Sequence, residues 1–323
     1  MRFFIVGLGS MGKRRMRNLH ANGEKTIVGF DVRPDRNAEA KEEYGIKTVE
    51  TFDAIAPQDF DVLIISTSPD AHGDYIRYAL KHKKHFFVEH PTSDDGYKEI
   101  LASKDATIKA PSCTFLFNRG VKMMKQILEK GAIGKVLAFQ YHMGQYLPDW
   151  HPYEDYRTVY FSKKETSACR EMVAFELIWL SALMGSKVKD VRGSITKLSD
   201  LDMDADDTVT AAVTYENNVR GTLLIDVISR KPFRTLRILG SEGVLEWERF
   251  DYCVKVFTVK DKKTEVISIP KGNPEKGYVN EEEMYIEEIK AFLGSIKGEE
   301  VYPHSFKENL INVRVMEALE KKS

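Results

Sequence analysis

The feature that most constrains this chain is an apolar run that leads into a glycine-rich turn and then into an amphipathic stretch. The run is Phe3–Val6, residues 7–12 have the pattern G-x-G-x-x-G, and the helical pattern extends to about Ala21. Glycines at this spacing allow a tight turn and close approach of the backbone to a pyrophosphate, while the helix N-terminus offers N–H donors to the phosphates. The chain is therefore predicted to begin with a dinucleotide-binding unit, whose turn residues are Gly7, Leu8, Gly9, Ser10, Met11 and Gly12.

An acidic residue at the end of the second apolar run supports this interpretation. Asp31 follows Thr26–Phe30, and a carboxylate at this place can accept both ribose hydroxyls of adenosine. The same carboxylate would repel a 2′-phosphate, so NAD is predicted as the cofactor in preference to NADP. Arg33 leaves the alternative open, because its side chain is either a solvated loop charge or a partner for that phosphate.

The first 118 residues alternate short apolar runs with helical patterns, which predicts an N-terminal Rossmann domain with a doubly wound parallel sheet. Residues 119–323 contain longer alternating strands joined by turn signals such as Asn217-Asn218. We therefore predict a C-terminal α+β domain with a mostly antiparallel sheet, whose last helix can pack back on the first domain. The strands expected there include Thr208–Tyr215, Gly221–Ser229 and Thr235–Gly240, and an apolar helix is expected from about Glu171 to Met184.

Composition excludes several classes of function. The 323 residues carry 48 Lys and Arg against 49 Asp and Glu, so the basic excess of a typical nucleic-acid-binding protein is missing. No apolar run is long enough to span a membrane, and the order of apolar and basic residues at the N-terminus is the reverse of that in a signal peptide. The three cysteines have no metal-binding or disulfide spacing, so we predict a cytoplasmic protein without a metal site.

Three further segments indicate a family. They are Thr67-Ser68-Pro69-Asp70-Ala71-His72, Val88-Glu89-His90-Pro91 and Lys130-Gly131-Ala132-Ile133-Gly134-Lys135-Val136. Together with the glycine-rich turn, they resemble the Gfo/Idh/MocA family of glucose–fructose oxidoreductase and inositol dehydrogenase. The resemblance implies an NAD(P)-dependent oxidoreductase that transfers hydride to or from a hydroxyl or keto carbon of a sugar, nucleotide-sugar or cyclitol. It also implies a homo-oligomer formed through the sheet of the second domain.

The resemblance also implies which residues surround the cofactor and the substrate. The cofactor-binding residues carried over from the family are Ser66, Thr67, Ser68, His72, Glu89 and His90. His90 stands where the family has a lysine. A free imidazole titrates near 6.5, so His90 is a candidate general acid/base, although it could equally fill the site or contact the nicotinamide.

The second-domain motif of the family carries an aspartate and, four residues later, a histidine. The corresponding residues here are Glu171 and Phe175, after a predicted turn at Ser167-Ala168-Cys169. Glu171 is predicted to contact the substrate or exchange its proton, and the alternative is a structural pair with Arg170 or another arginine. Glu176 lies on another face of the helix and is predicted to have a structural partner.

The segment 145–157 is dense in aromatic and hydrogen-bonding side chains, and it resembles a loop of family members associated with surface-sugar metabolism. Sugars bind on aromatic faces next to polar groups, so the predicted substrate-binding residues are Trp150, Tyr156, Arg157 and Lys163. The alternative is an inter-subunit loop. Two other functions stay open: a non-catalytic dinucleotide-binding sensor or partner protein, and a reductase of a non-sugar substrate, as in biliverdin reductase-like members.

Overall fold

The computed structural model describes residues 1–150, 154–275 and 280–321, and the chain forms two compact units. The first unit comprises Met1–Thr114 and Gly272–Leu310, and the second comprises Phe115–Lys271 and Ile311–Ser323. Residues 272–310, which the sequence-based boundary after residue 118 assigned to the second domain, thus belong to the first unit. The physical reason is that their helix buries apolar side chains in the core of that unit.

The first unit is built on a six-stranded sheet. Its strands are β1 (Arg2–Val6), β2 (Thr26–Phe30), β3 (Lys47–Val49), β4 (Val62–Ile65), β5 (His85–Val88) and β6 (Lys109–Pro111). Its helices are α1 (Ser10–Ala21), α2 (Pro34–Tyr44), α3 (His72–Lys81), α4 (Tyr97–Ala102) and, after the second unit, α7 (Glu282–Lys297). The strand order is β3-β2-β1-β4-β5-β6, and every pair is parallel. This confirms the predicted doubly wound sheet.

Both faces of this sheet are covered, which explains why its strands are continuously apolar. On one face, β1 and β4 pack with Met16 and Leu19 of α1 and with Ile289 and Phe292 of α7. The other face forms a second core cluster with α3, α4 and the aromatic residue Phe306. The carboxyl ends of the parallel strands therefore form one edge, where ligands of such sheets bind.

The second unit contains an eight-stranded sheet with helices. Its strands are β7 (Val136–Tyr146), β8 (Val188–Thr196), β9 (Thr208–Tyr215), β10 (Arg220–Asp226), β11 (Ile228–Gly240), β12 (Gly243–Glu248), β13 (Cys253–Thr258) and β14 (Lys263–Ser268). Its helices are α5 (Arg119–Glu129) and α6 (Ala168–Met184), and α8 (Phe306–Glu320) belongs to it from Ile311 onward. The strand order is β14-β13-β12-β11-β7-β10-β9-β8, antiparallel except between β7 and β10. The predicted mostly antiparallel sheet is confirmed.

Two boundaries differ from the sequence-based expectation for local reasons. The predicted strand Gly221–Ser229 divides after Asp226, because its Oδ1 accepts hydrogen bonds from the backbone N–H groups of Ile228 and Ser229. The apolar helix begins at Ala168 rather than near Glu171. Its N-cap is Ser167, whose hydroxyl accepts a hydrogen bond from the N–H of Arg170.

The eight-stranded sheet buries one set of alternating side chains and leaves the other set accessible. Phe139, Tyr141 and Leu236 are buried, whereas Leu239 and Phe257, which belong to the other alternating set, are exposed. In the described ranges, no helix combines the length and the apolar character that crossing a membrane requires.

Candidate functional site

The glycine-rich turn joins β1 to α1 in the geometry that its glycines require. Gly7 has a φ of +86°, which strains any residue with a side chain. A Cβ on Gly12 would lie 1.9 Å from the carbonyl oxygen of Gly7, so only glycine lets α1 approach the strand this closely. Near Gly9, by contrast, a Cβ would meet the flexible guanidinium of Arg36, at 3.0 Å from Nη1. The turn thus has a glycine backbone, partly accessible at Gly9, Ser10 and Met11, of the kind that binds a pyrophosphate.

Asp31 is tied directly to this turn. Its Oδ2 accepts a hydrogen bond from the N–H of Leu8 at 2.7 Å, and its Oδ1 accepts one from the N–H of Arg33 at 2.9 Å. The carboxylate therefore stands at a fixed place beside the glycine-rich turn. This position suits recognition of an adenosine ribose.

The guanidinium that lies beside the Asp31 carboxylate belongs to Arg36, which the sequence analysis missed. The side chain of Arg33 pairs with Asp35 at the surface, with 2.5 Å between Nη2 and Oδ2. Arg36 instead places Nη1 3.6 Å from Oδ2 of Asp31 and lies across Gly9. Its position in the first turn of α2, at the same sheet edge as Asp31, was the signal that could have identified it.

We expect substitution of Asp31 by asparagine to reduce the preference for NADH over NADPH by about tenfold, because a charge-assisted hydrogen bond and the repulsion of a 2′-phosphate are both lost. Asparagine keeps the shape of the side chain and one oxygen, which can accept a hydrogen bond from one of the two backbone N–H groups that Asp31 binds. The measurement is fluorescence titration of both reduced dinucleotides. If the unmodified protein binds NADPH more tightly than NADH, the positive charge of Arg36 outweighs Asp31, and NADP is the cofactor.

The remaining predicted cofactor residues gather at the ends of β4 and β5. The Ser66 hydroxyl donates to Oε1 of Glu89 at 3.4 Å, and Nε2 of His72 lies 3.1 Å from the carbonyl oxygen of Thr67. The Ser68 hydroxyl donates a hydrogen bond to Oδ1 of Asp70 at 2.5 Å. In the loop itself, the sulfur of Met11 contacts Nη1 of Arg14 at 3.8 Å, and Ser10 starts α1. The first unit therefore brings the cofactor candidates to one sheet edge.

His90 differs from the expectation for a freely titrating imidazole. Its side chain is buried, and burial lowers its pKa from 6.5 to about 3. His304 and His72 lower the pKa further by repulsion, and a hydrogen bond with the Ser112 backbone opposes the shift. The expectation of a pKa near 6.5 is therefore wrong, and His90 is a neutral imidazole at physiological pH.

This burial predicts acid sensitivity. The pKa of His72 is also lowered by burial, to about 4, so the unfolded chain binds more protons than the folded chain between about pH 6.5 and pH 4. The free energy of unfolding should therefore decrease as the pH is lowered through that window, by roughly 1 kcal/mol per pH unit for each histidine. We expect His90→Gln to make the decline between pH 6 and pH 4 shallower in urea unfolding. An identical pH slope in both proteins would contradict the burial of a neutral His90.

The second unit places the other catalytic candidate at the start of α6. Glu171 lies in the first helical turn, and its Oε2 accepts a hydrogen bond from the Tyr160 hydroxyl at 3.0 Å. Sequence reasoning missed Tyr160, which lies in a loop without regular spacing. Phe175, at the position of the family histidine, packs edge to face on Phe115 with 5.3 Å between ring centroids. The second unit thus pairs Glu171 with a phenol.

Among the predicted substrate-binding residues of the second unit, Trp150 has an aromatic neighbour, Tyr156 and Arg157 have polar partners, and Lys163 is exposed to solvent. Trp150 packs on Phe161, with 5.4 Å between ring centroids. The Tyr156 hydroxyl accepts a hydrogen bond from the N–H of Asp202, and Arg157 pairs with Asp155 at 2.6 Å. Lys163 is exposed. His151, Pro152 and Tyr153 of the same segment lie outside the described residues.

Glu176 has the structural partners that the sequence analysis predicted. It is fully buried, and its carboxylate accepts hydrogen bonds from Arg234 at 2.7 Å, Tyr141 at 2.5 Å and Trp179 at 2.6 Å. Buried charges of this kind persist only when they are paired and fully hydrogen-bonded. The pair therefore anchors α6 on β7 and β11.

Removing this carboxylate should destabilise the fold. Glu176→Ala leaves the Arg234 charge buried without its partner, which typically costs about 3–5 kcal/mol. Urea unfolding of the variant is the measurement, with Glu165→Ala, an exposed glutamate of the preceding loop, as the control. A loss below about 1 kcal/mol, as for a surface pair, would contradict this role.

The chain is similar to known proteins both in sequence and in fold. Residues 1–112 match the family profile described as "Oxidoreductase family, NAD-binding Rossmann fold", and residues 121–246 match "GFO/IDH/MocA C-terminal domain". The chain is 24% identical over 318 residues to the myo-inositol 2-dehydrogenase of Thermotoga maritima, which covers 93% of this chain and 89% of that protein. It is 32% identical over 90 residues to biliverdin reductase A of Mus musculus, which covers 27% of this chain and 29% of that protein.

The fold has counterparts among solved structures. A levoglucosan dehydrogenase in complex with NADH superimposes with a TM-score of 0.84 at 18% identity, covering 100% of this chain and 97% of that one. A sequence identity of 18% shows a shared fold and nothing more.

Proposed function

Because this chain belongs to the Gfo/Idh/MocA family of oxidoreductases, we propose that it is an NAD-dependent dehydrogenase or reductase of a sugar, nucleotide-sugar or cyclitol. One observation carries the proposal: the Leu8 N–H of the glycine-rich turn is bound to the Asp31 carboxylate, so the pyrophosphate cradle and the ribose acceptor are one preformed unit. The chemistry is a transfer of hydride to or from a hydroxyl or keto carbon.

The residues present fit the cofactor. The backbone of residues 7–12 would hold the pyrophosphate and Asp31 the adenosine ribose, while Ser66, Thr67, Ser68, His72, Glu89 and His90 would line the remaining part. When bound, the nicotinamide ring accepts or donates the hydride. NADP is the less favoured alternative, through Arg36 rather than Arg33.

The proton of the substrate hydroxyl is assigned to Glu171. Its carboxylate is oriented by the Tyr160 hydroxyl, and such orientation is what a general base requires. His90 has the weaker claim to this role, since burial holds its pKa at about 3 and disfavours the imidazolium. A neutral His90 can still hydrogen-bond a substrate oxygen, as neutral imidazoles do in other enzymes.

Substrate recognition is assigned to the segment before α6. Trp150 offers an aromatic surface, and Tyr156, Arg157 and Lys163 offer polar groups, which is the combination that binds sugars. Two of the similar proteins act, by name, on myo-inositol and on levoglucosan, which supports a cyclitol or sugar substrate. The test is NAD⁺ reduction with each of these two compounds, followed by NADH absorbance.

A second candidate is a dinucleotide-binding protein without turnover. It is favoured by the lowered pKa of His90 and by the packing of Phe175 at the position of the family histidine. It predicts tight NADH binding with no reduction of NAD⁺ by any sugar or cyclitol. A third candidate, reduction of a non-sugar substrate, takes support from the short similarity to biliverdin reductase A, and biliverdin with NADH tests it.

The accessible side of the eight-stranded sheet supports a homo-oligomer. Leu239 and Phe257 are partly exposed there, at 41% and 37%, and an open sheet face with such residues suits a second copy of the chain. Light scattering on the purified protein measures the oligomeric state. The three free cysteines are typical of a reducing compartment, so we place the protein in the cytoplasm.

A further inference from the structure

A buried ion-pair network in the first unit links the helix after the glycine-rich turn to the segment Glu89-His90-Pro91. Arg15 of α1 is fully buried. Its Nε lies 2.5 Å from Oε1 of Glu89, and its Nη2 lies 2.9 Å from Oε2. The contact is bidentate, so it fixes the orientation of the Glu89 carboxylate as well as its distance from the guanidinium.

A second carboxylate holds the arginine in place. Oε2 of Glu288, on α7, accepts hydrogen bonds from Nη1 of Arg15 at 2.9 Å and from the Thr114 hydroxyl at 2.7 Å. Its Oε1 accepts from the Ser112 hydroxyl at 3.1 Å and from the Cys113 N–H at 2.5 Å. Glu288 is also fully buried. The guanidinium therefore has little freedom to turn away from Glu89.

Stability alone gives a weak reason for such a network. Burying the Arg15 guanidinium and the Glu288 carboxylate is costly, and well-packed apolar side chains in their place are often as stable or more stable. What the network provides is a defined geometry for Glu89. That carboxylate also accepts a hydrogen bond from Ser66 at the end of β4, and the Glu89 N–H is bound to the Ile65 carbonyl.

We propose that Arg15, held by Glu288, is a positioning residue that fixes the Glu89 carboxylate, and with it the turn that carries His90, relative to the glycine-rich turn. The connection is short, because α1 starts at Ser10 within the glycine-rich turn and Glu89 directly follows β5. Only the turnover measurement below rests on the proposed function. The other measurements concern the first unit alone.

Arg15→Lys tests the proposal, because lysine keeps the charge and loses the planar fork. Arg14→Lys is the matched control: Arg14 is the neighbouring buried arginine, and it pairs with Glu282 of the same helix α7, at 2.8 Å. Amide hydrogen exchange at Glu89 and the NMR signals of the His90 ring are recorded for the whole 323-residue chain, with and without NADH.

We expect Arg15→Lys to speed exchange of the Glu89 amide about tenfold and to shift the His90 ring signals, whereas Arg14→Lys changes neither. Adding Glu89→Gln should make the effect of Arg15→Lys disappear, because the arginine acts through that carboxylate. If NAD⁺ reduction is observed, kcat should fall by about 10–100-fold with little change in the KM for NAD⁺.

Equal exchange rates and equal ring signals in Arg15→Lys and Arg14→Lys would overturn the proposal. If Arg15→Lys does not fold, Ser112→Ala decides the question, since Ser112 contacts both Arg15 and Glu288 without carrying charge. It should then speed Glu89 exchange, and unchanged exchange would reject the positioning role. Absence of NAD⁺ reduction in every protein would count against the proposed function and leave these two readouts to decide on Arg15.

Discussion

Substitution of Gly9 by valine should abolish dinucleotide binding in a protein that still folds. The Cβ of the new residue meets the end of the flexible Arg36 side chain, which can move aside. Its branched methyl groups would occupy the space in which the backbone approaches the pyrophosphate. We expect the Kd for NADH to rise by about 100-fold or more, which corresponds to roughly 2.7 kcal/mol.

The control is a glycine of the same turn with a structural role. Gly12→Val should instead damage the fold, because its Cβ would lie 1.9 Å from the Gly7 carbonyl oxygen. Thermal unfolding separates the two variants, and NADH fluorescence measures binding in the folded one. Unchanged NADH affinity in folded Gly9→Val protein would remove the cofactor site from this turn.

Substitution of Glu171 by glutamine should lower turnover by about 10²–10⁴, the usual contribution of a positioned general acid or base. Glutamine keeps the size of the side chain and can still accept a hydrogen bond from Tyr160, so the fold and NADH affinity should change little. The measurement is the steady-state rate of NAD⁺ reduction with the substrate that is active in the unmodified protein.

Two further variants sharpen this test. Glu165→Gln changes an exposed glutamate of the preceding loop and should leave the rate unchanged. Tyr160→Phe removes the hydroxyl that orients Glu171 and should give a smaller loss. If Glu171→Gln retains the full rate while His90→Gln loses it, the proton passes through His90 despite its burial.

The local parts of the candidate site could be predicted from sequence because their physics is local. A strand, a tight glycine turn and a helix follow each other within residues 2–21, and their spacing determines the geometry of the phosphate cradle. Asp31 was predictable for the same reason, since it directly follows the adjacent strand β2. The parallel, doubly wound character of the first sheet then follows from the alternation of strands and helices.

The parts that were missed depend on residues far apart in the chain. Arg15 and Glu288 are separated by 273 positions, and no spacing rule relates them. The lowered pKa of His90 arises from burial near His304 and His72, which the sequence around residue 90 does not show. The start of α6 was predicted too late in the chain, because residues 167–169 were assigned to the turn that the family resemblance implied. Ser167 is instead the N-cap of the helix, a short-range feature that the sequence does contain.

The measurement that tests the central claim most directly is NAD⁺ reduction by the purified protein with myo-inositol, with levoglucosan and with a wider panel of sugars, nucleotide-sugars and cyclitols. NADH titration is run in parallel to establish that the cofactor binds. The account predicts NADH formation with at least one member of the panel, and loss of that activity in Glu171→Gln. Tight NADH binding without reduction of NAD⁺ by any member would contradict it and favour the non-catalytic dinucleotide-binding protein.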